Sequence, residues 1–400
     1  MNRTGEPHRS HAGTPGEVIG IALIGCGYVA DFYLATLPNH PVLDIRGCYD
    51  RDATRANIFA KHHQLHRYSS LDEVLSDPDV GIVVNLTNPA SHYDVSRKSL
   101  LAGKHVYSEK PLSETMAQAT ELVQIAEAAG LQLASAPCSQ LGETAQTIWH
   151  ALNSDAIGRP RLVYADLDDG AIHLMPYRSW ISGSGAPWPY EDEFAVGPVV
   201  EHAAYYLNWL TSFFGPVREV SSFAALVVPE KLGRSPEQSL GPDFACACLR
   251  FSSGVVARFT CGTVAPENHS LQIVGESGVL SVSECWDYAA PVTLRRQTTQ
   301  STARHHYLSD PEIYPPVRPA DYPHRYSDTH DMDFGRGVAD LAEAVRGTGA
   351  HRLSARHSLH VLEVVLAINA SVIQPGTFPI HTTFDPIEPA PWAVAEHARV

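Results

Sequence analysis

The chain reads as an α/β protein in two parts: a doubly wound parallel sheet, followed by an α+β domain with a large open, mainly antiparallel sheet. Three observations predict this. Strand-like apolar runs alternate with helical patterns over residues 18–136, the rhythm of right-handed strand–helix–strand crossovers. From residue 137 onward, several strand-like runs instead follow one another with only short turns between them. A length of 400 residues also favours two domains over one.

Each element follows from its local pattern. Residues 18–25, VIGIALIG, form a continuous apolar run suited to a strand buried on both faces. GCGYVADFYLATLPN turns that strand into a helix. LDIRGCYD is the second strand, ATRANIFAKHH a helix, SSLDEVLSD a short helix, and VGIVVNLTNP the third strand, ending in Asn-Pro. SHYDVSRKSLLAG is helical, HVYSEKP a strand with a turn at its carboxyl end, SETMAQATELVQIAEAAG a helix, and LQLASAP the last strand of the first domain. Helical GETAQTIWHALNSDAIG then precedes strands in RLVYADLDD, REVSSFAALVV, FACACLRF, VVARFTCG, SLQIVGESGVLSV and PVTLRRQT. The Ser252-Ser253-Gly254 step reads as a hairpin connection. Cys246 and Cys248 alternate with alanine, which puts both on one face, where they are expected to pack. Loop-rich stretches at 171–198 and 301–326 have the composition of ordered loops that wall a pocket. Helices are predicted over 332–346 and 354–371, the second apolar on one face and able to pack back on the first domain. Residues 1–17 read as a flexible leader, 18–136 and 137–378 as the two domains, and 379–400 as a tail.

Composition narrows the function classes. The chain is 44% apolar and 18% charged, which supports a packed core and not extended disorder. Its formal charge of −15 gives a polyphosphate backbone nothing to bind, so no nucleic-acid partner is expected. Seven cysteines lie scattered without a CxxC pair or zinc spacing; no metal is expected, and a reducing cytoplasmic compartment fits. No stretch has the length of a membrane span or the apolar core of a secretory signal.

The sharpest motif is Gly25-Cys26-Gly27-Tyr28-Val29-Ala30, the G-x-G-x-x-A form, set between the first strand and a helix. Gly25 permits a tight turn, Gly27 lets the backbone approach a pyrophosphate, and small Ala30 allows close helix–strand packing. This is a Rossmann-type dinucleotide signal. Asp50, ending the second strand, can accept hydrogen bonds from both adenosine ribose hydroxyls and repel a 2′-phosphate, which favours NAD; neighbouring Arg51 keeps NADP possible. Thr87, Asn88 and Pro89 end the third strand at the crevice, with His92 one turn on. Glu109, Lys110 and Pro111 end the fourth, and the Lys110 charge would favour a developing alkoxide. Cys138 is expected to pack near the nicotinamide ring, without the activating partner a catalytic thiol needs.

Beyond Pro198, an apolar helix carries Glu201, His202, Tyr205, Tyr206 and Asn208. Glu201 and Tyr205 share one face and His202 and Tyr206 another, so either pair can look into the crevice. Before that helix, Trp188 and Tyr190 can stack on a sugar ring, while Glu191, Asp192 and Glu193 can take its hydroxyls. His173 and the Asp168-Asp169 pair are further candidates to enter the pocket.

With GCGYVA, Tyr49-Asp50, TNPASH, AGKHVYSEKPLS and GPVVEHAAYYLNWL, the chain from residue 18 to about 378 resembles the Gfo/Idh/MocA family of oxidoreductases. The resemblance implies a nicotinamide cofactor, a polyol, sugar, cyclitol or sugar-derivative substrate, and a substrate- and cofactor-contacting role for Lys110. It also implies an Asp and, four residues on, a His acting as acid/base. Glu201 and Tyr205 hold those places here, with Gly197 at the preceding glycine, so the motif departs from the family at both. Two repairs suggest themselves: Tyr205 acts as acid/base with its pKa lowered by Lys110 and Glu201 binds substrate, or His202 moves in and Tyr205 only binds. Other readings are a redox-assisted glycoside cleavage that recycles bound NAD, and a noncatalytic sensor or scaffold. The open sheet invites pairing into a homodimer or homotetramer.

Overall fold

The computed structural model describes residues 18–232, 240–298, 307–326 and 330–394. The leader at 1–17, part of the loop-rich stretch (301–306) and the last six residues lie outside the described residues.

Buried apolar runs build the first sheet from β1 (Ile19–Ile24), β2 (Leu43–Tyr49), β3 (Ile82–Asn85), β4 (His105–Ser108) and β5 (Leu133–Ser135). All are parallel, in the order β2-β1-β3-β4-β5. Between them run α1 (Ala30–Thr36), α2 (Ala53–His63), α3 (Leu71–Ser76), α4 (Pro89–Leu101) and α5 (Met116–Ala129). Asp52 caps α2 by accepting from the amides of Thr54 and Arg55, and Thr115 caps α5. The order in which strands are added reverses between β1 and β3, so their carboxyl ends open a crevice.

The second part contains α6 (Glu143–Asn153), β6 (Pro160–Asp168), α7 (Tyr190–Val196), α8 (Pro198–His202), α9 (Ala204–Phe214), β7 (Val217–Ala225) and β8 (Phe244–Phe251). It continues with β9 (Val256–Gly262), β10 (Leu271–Gly275), β11 (Gly278–Val282), β12 (Thr293–Arg296) and β13 (Glu312–Ile313). α10 (Gly335–Val345), α11 (Ala355–Ala370), β14 (Gly376–Pro379) and α12 (Pro391–Val394) complete it. The sheet has nine strands in the order β13-β12-β11-β10-β6-β9-β8-β7-β14, antiparallel throughout except for the parallel β6–β9 pair.

Several local outcomes differ from the sequence pattern. β7 stops at Ala225 because the amides of Val227 and Val228 turn to the Asp243 carboxylate, at 2.6 and 3.0 Å, and leave the ladder. α7 lies inside the stretch read as loop. Cys246 and Cys248 do share a face, but the open one: Ala245, Ala247 and Leu249 take the buried side and Cys248 is exposed. The segment read as a tail packs down as far as residue 394, burying Ile380, Phe384, Ala390 and Ala393; the Ala390 amide donates to Gln146 at 2.8 Å.

Helix α11 joins the two parts. It packs on α5 and β5 on one side and on β7, α8 and α9 on the other, and Leu362 shares a core with Leu100, Val106 and Leu122. No helix among the described residues is long and apolar enough to cross a membrane.

Candidate active site

A cleft of about 790 Å³ runs between the two parts, at the carboxyl ends of β1, β3 and β4. That volume lies within the range of about 300–1,000 Å³ typical of small-molecule sites.

At one end lie Gly27, Tyr28, Val29, Thr87, Asn88 and Pro89. Gly25 has φ +98°, and a Cβ there would stand 2.5 Å from the Leu86 carbonyl oxygen, so only glycine makes this turn. A Cβ on Gly27 would meet nothing within 4 Å: the backbone here faces open space, as a cradle for a pyrophosphate requires. The Asp50 carboxylate stands at the tip of β2, held by the amides of Cys26 (2.8 Å) and Asp52 (2.9 Å).

Three residues expected at the cofactor end, Arg51, His92 and Cys138, are placed elsewhere. Arg51 is exposed and outside the cleft lining; Arg55, from the first turn of α2, lines the cleft in its place. Its guanidinium donates to the carbonyl oxygens of Cys26 (2.5 Å) and Ser184 (2.8 Å), tying the glycine loop to the second domain. His92 is buried behind the site, its ring nitrogens 2.7 Å from the Pro111 and 2.8 Å from the Thr87 carbonyl oxygens. It braces two loops and is not part of the cleft lining. Cys138 is buried against Tyr288 and the Asp333 carbonyl, outside the lining, and burial pushes its thiol up to about 11. Asp50 is likewise outside the lining, although the Cys26 amide ties its carboxylate to the glycine loop.

Glu109 bridges the two ends. It lines the cleft while accepting from the Tyr33 hydroxyl at 2.7 Å and the Lys110 amide at 3.0 Å.

At the other end, the Lys110 ammonium donates to the Glu201 carboxylate. Burial alone would lower the Lys110 pKa, but Glu201, then Glu193, outweigh it and raise it. Lys110 therefore stays charged. Tyr205 is 5% exposed and lines the cleft; α9, which carries it, is anchored by Ser139 Oγ donating to the Tyr205 carbonyl and by Asn208 donating to the Pro137 carbonyl. The expectation that Lys110 lowers the Tyr205 pKa is corrected here. Burial raises it further than the ammonium lowers it, so the phenol keeps its proton. Glu201, expected to bind substrate, has its carboxylate taken by Lys110.

The two faces read from the helix are not mutually exclusive: His202 and Tyr205 both line the cleft. Burial, then the Lys110 charge, holds the His202 pKa well below its ordinary value, so the imidazole is neutral. Trp188 lines the cleft. Tyr190 does not; it packs on Tyr177 and beneath Arg178. Asp192 and Glu193 enter, whereas Glu191 stays outside. Burial, reinforced by Glu201, pushes Glu193 well above the usual carboxylate range. Of the other candidates Asp169 enters, and Asp168 and His173 do not.

Sequence reasoning missed Glu267, His269, Glu284, Trp286 and His330, all in the lining. The β10–β11 register pairs Leu271 with Val282, and two steps beyond the strands the same register sets His269 opposite Glu284, whose carboxylate lies 2.9 Å from His269 Nδ1. That juxtaposition needs the register, which a single sequence does not specify. Trp286 stacks on His330 at a centroid distance of 4.1 Å and meets Tyr205 edge-on at 5.4 Å. Donor atoms of Glu267, His269 and Glu284 lie within 4.8 Å of one another, a set able to hold a cation where none was expected.

Comparison with known proteins agrees with this geometry. A family model described as "Oxidoreductase family, NAD-binding Rossmann fold" matches residues 19–136, and one described as "GFO/IDH/MocA C-terminal domain" matches residues 145–281. The chain is 25% identical to an uncharacterized oxidoreductase of Synechocystis sp., over 85% of this chain and 90% of that protein. It is 24% identical to the trans-1,2-dihydrobenzene-1,2-diol dehydrogenase of Bos taurus, over 67% and 74% of the two chains. Its fold superposes on the WlbA dehydrogenase of Bordetella pertussis, solved with NADH and UDP-GlcNAcA, with a TM-score of 0.69 at 19% identity, covering 92% and 99% of the chains.

Proposed function

The chain belongs to the Gfo/Idh/MocA family of oxidoreductases, and from that premise we propose that it transfers hydride between a nicotinamide dinucleotide and a secondary alcohol or ketone of a sugar, cyclitol or sugar derivative. The observation that carries this reading is one continuous cleft with the Gly27 loop at one end and Lys110 and Tyr205 at the other. The open space above Gly27 and the ordered Asp50 carboxylate fit a dinucleotide, with NAD favoured over NADP. When bound, the nicotinamide supplies the carbon that gives or takes hydride.

The chain's own residues handle binding and the proton. Lys110, kept charged by Glu201, stabilises negative charge growing on the substrate oxygen. Tyr205 holds its phenolic proton through burial, so in the direction of reduction it donates that proton to the carbonyl oxygen, and in oxidation it takes it back. Glu201 positions Lys110. Trp188 and Trp286 offer apolar walls to a ring. The diol named for the bovine relative and the sugar nucleotide bound to WlbA support a hydroxylated substrate.

Seven free cysteines fit a reducing, cytoplasmic setting. Leu162, Tyr164 and Phe223, exposed on the sheet's open face, support a homo-oligomer.

The test is a panel of sugars and cyclitols assayed with NAD by absorbance of the reduced cofactor, and of their ketones in reverse. Turnover that drops about a thousandfold in Lys110→Ala is expected. A protein that binds NADH tightly yet turns over no member of the panel in either direction would overturn the reading.

A further inference from the structure

We propose that the substrate half of the cleft is a cation subsite, and that the substrate is an amino sugar or aminocyclitol whose ammonium group sits against Asp169. This rests on the oxidoreductase reading and deepens it.

The lining of this half is rich in carboxyl groups, of which burial keeps Glu193 protonated and raises Asp169 to about 7. It carries Asp169, Asp192, Glu193, Glu201, Glu267 and Glu284. Lys110, which faces them, is held by Glu201, and Nδ1 of His269 lies against Glu284. His202 and His330 are driven by burial to the neutral form and contribute no charge.

Asp169 is the group left over. Its side chain is 18% exposed, and no described residue donates a hydrogen bond to its carboxylate. The nearest nitrogens are His202 Nδ1 at 3.5 Å and His269 Nε2 at 3.9 Å, beyond good hydrogen-bond length. Both of those nitrogens are themselves buried without a hydrogen-bond partner, and His269 is only 3% exposed. Three polar groups thus converge on one point of the cavity and leave one another unsatisfied. Leaving such groups unpaired costs free energy that a ligand recovers by pairing with them. An ammonium brings three N–H donors and a positive charge that favours the ionised form of Asp169, and hydroxyls next to it on a ring, able both to donate and to accept, can pair with His269 Nε2. Trp286, centred 4.4 Å from the His269 ring, adds an aromatic face beside the cation. A carboxylate or phosphate placed here would stand against Asp169 and Glu267 and be disfavoured.

The experiment measures binding apart from turnover. The full-length protein is titrated calorimetrically at neutral pH with glucose, glucosamine and glucuronate, and with the matching galactose set, so that each series changes charge on one ring. The amine is expected to bind about tenfold tighter than the neutral sugar, the worth of one charge-assisted hydrogen bond, and the acid weakest. Asp169→Asn is expected to bring the amine-to-neutral ratio towards one, and Glu267→Gln to lower it part of the way; retained NADH binding reports that each variant is folded. Equal affinity for amine and neutral sugar, a preference for the acid, or no binding of either amine overturns the proposal. So does competition of Mn²⁺ with glucosamine at low micromolar concentration, which would assign Glu267, His269 and Glu284 to a metal. NAD-linked turnover of neutral sugars without any amine preference would sink the subsite alone. Amine binding without nicotinamide turnover in either direction would sink the oxidoreductase reading alone.

Discussion

Lys110 and Glu201, 91 positions apart, form an ion pair across the cleft that joins the end of β4 in the first domain to α8 in the second. With side chains 16% and 6% exposed, the pair lies where removing one partner leaves the other desolvated and uncompensated.

Glu201→Gln is therefore expected to act through Lys110. With the carboxylate gone, burial is the dominant influence and draws the Lys110 pKa downward, the reverse of its direction in the intact site. Activity of the variant should fall as pH rises through the new, lower lysine pKa, while the parent keeps its charge across that range. A pH profile of kcat measures this, with a loss of about 10- to 100-fold at the alkaline end. Superimposable profiles would show that Glu201 does not hold the charge on Lys110.

Tyr205→Phe should lower kcat about 10²- to 10⁴-fold, the usual worth of a positioned acid/base, with NADH affinity little changed. His202→Gln should cost less than about tenfold, because its neutral imidazole is not needed as proton donor in this scheme. The opposite ranking would move the acid/base role to His202.

Asp50→Ser should cut the preference for NAD over NADP about tenfold or more if, as proposed, the carboxylate next to the glycine loop takes the ribose hydroxyls and repels a 2′-phosphate. Arg51→Ala should leave the preference unchanged, because the guanidinium that reaches the glycine loop and lines the cleft is that of Arg55. Dissociation constants for both reduced cofactors, read by fluorescence, decide it. An unchanged ratio in Asp50→Ser would remove Asp50 from cofactor choice.

Acid should destabilise the fold through histidines far from the cleft. Burial holds His357 at about 3, and His360 and His351 at about 4, against the ordinary 6.5. Their folded values lie below the unfolded one, so the unfolded chain takes up more protons between pH 6.5 and about 4. Stability is complete above pH 6.5 and is lost as pH falls through that window. Thermal unfolding followed from mildly alkaline to mildly acid pH should give a falling Tm, with a shallower slope in His351→Gln. A slope identical to the parent's would place the acid sensitivity elsewhere.

Much of this molecule is legible along the chain because the information is local. The alternation of apolar runs with helical patterns specifies the parallel sheet, the hairpin at Ser252 to Gly254 appears in place, and Gly25 declares a turn only glycine makes. Glycine spacing, the Glu-Lys-Pro tripeptide and the polar residues on the apolar helix beyond Pro198 brought Gly27, Lys110 and Tyr205 to notice, and all three line one cleft.

What the chain order could not decide was which distant groups face one another. Arg51 and Arg55 sit on the same turn-to-helix segment, and only the helix phase and the reach to Ser184 put Arg55 in the cleft. His92 has the composition of a ligand residue, yet packing turns both its nitrogens to backbone carbonyls. The direction of the Tyr205 shift depended on burial by Trp286 and its neighbours against one lysine charge, a balance no spacing records. Likewise His269 meets Glu284 through strand register and Asp169 through the fold of the sheet. Backbone propensity and apolar periodicity act over a few residues and so are written in the sequence. Desolvation and charge pairing act through space, and so were settled only when the tertiary structure brought the groups together.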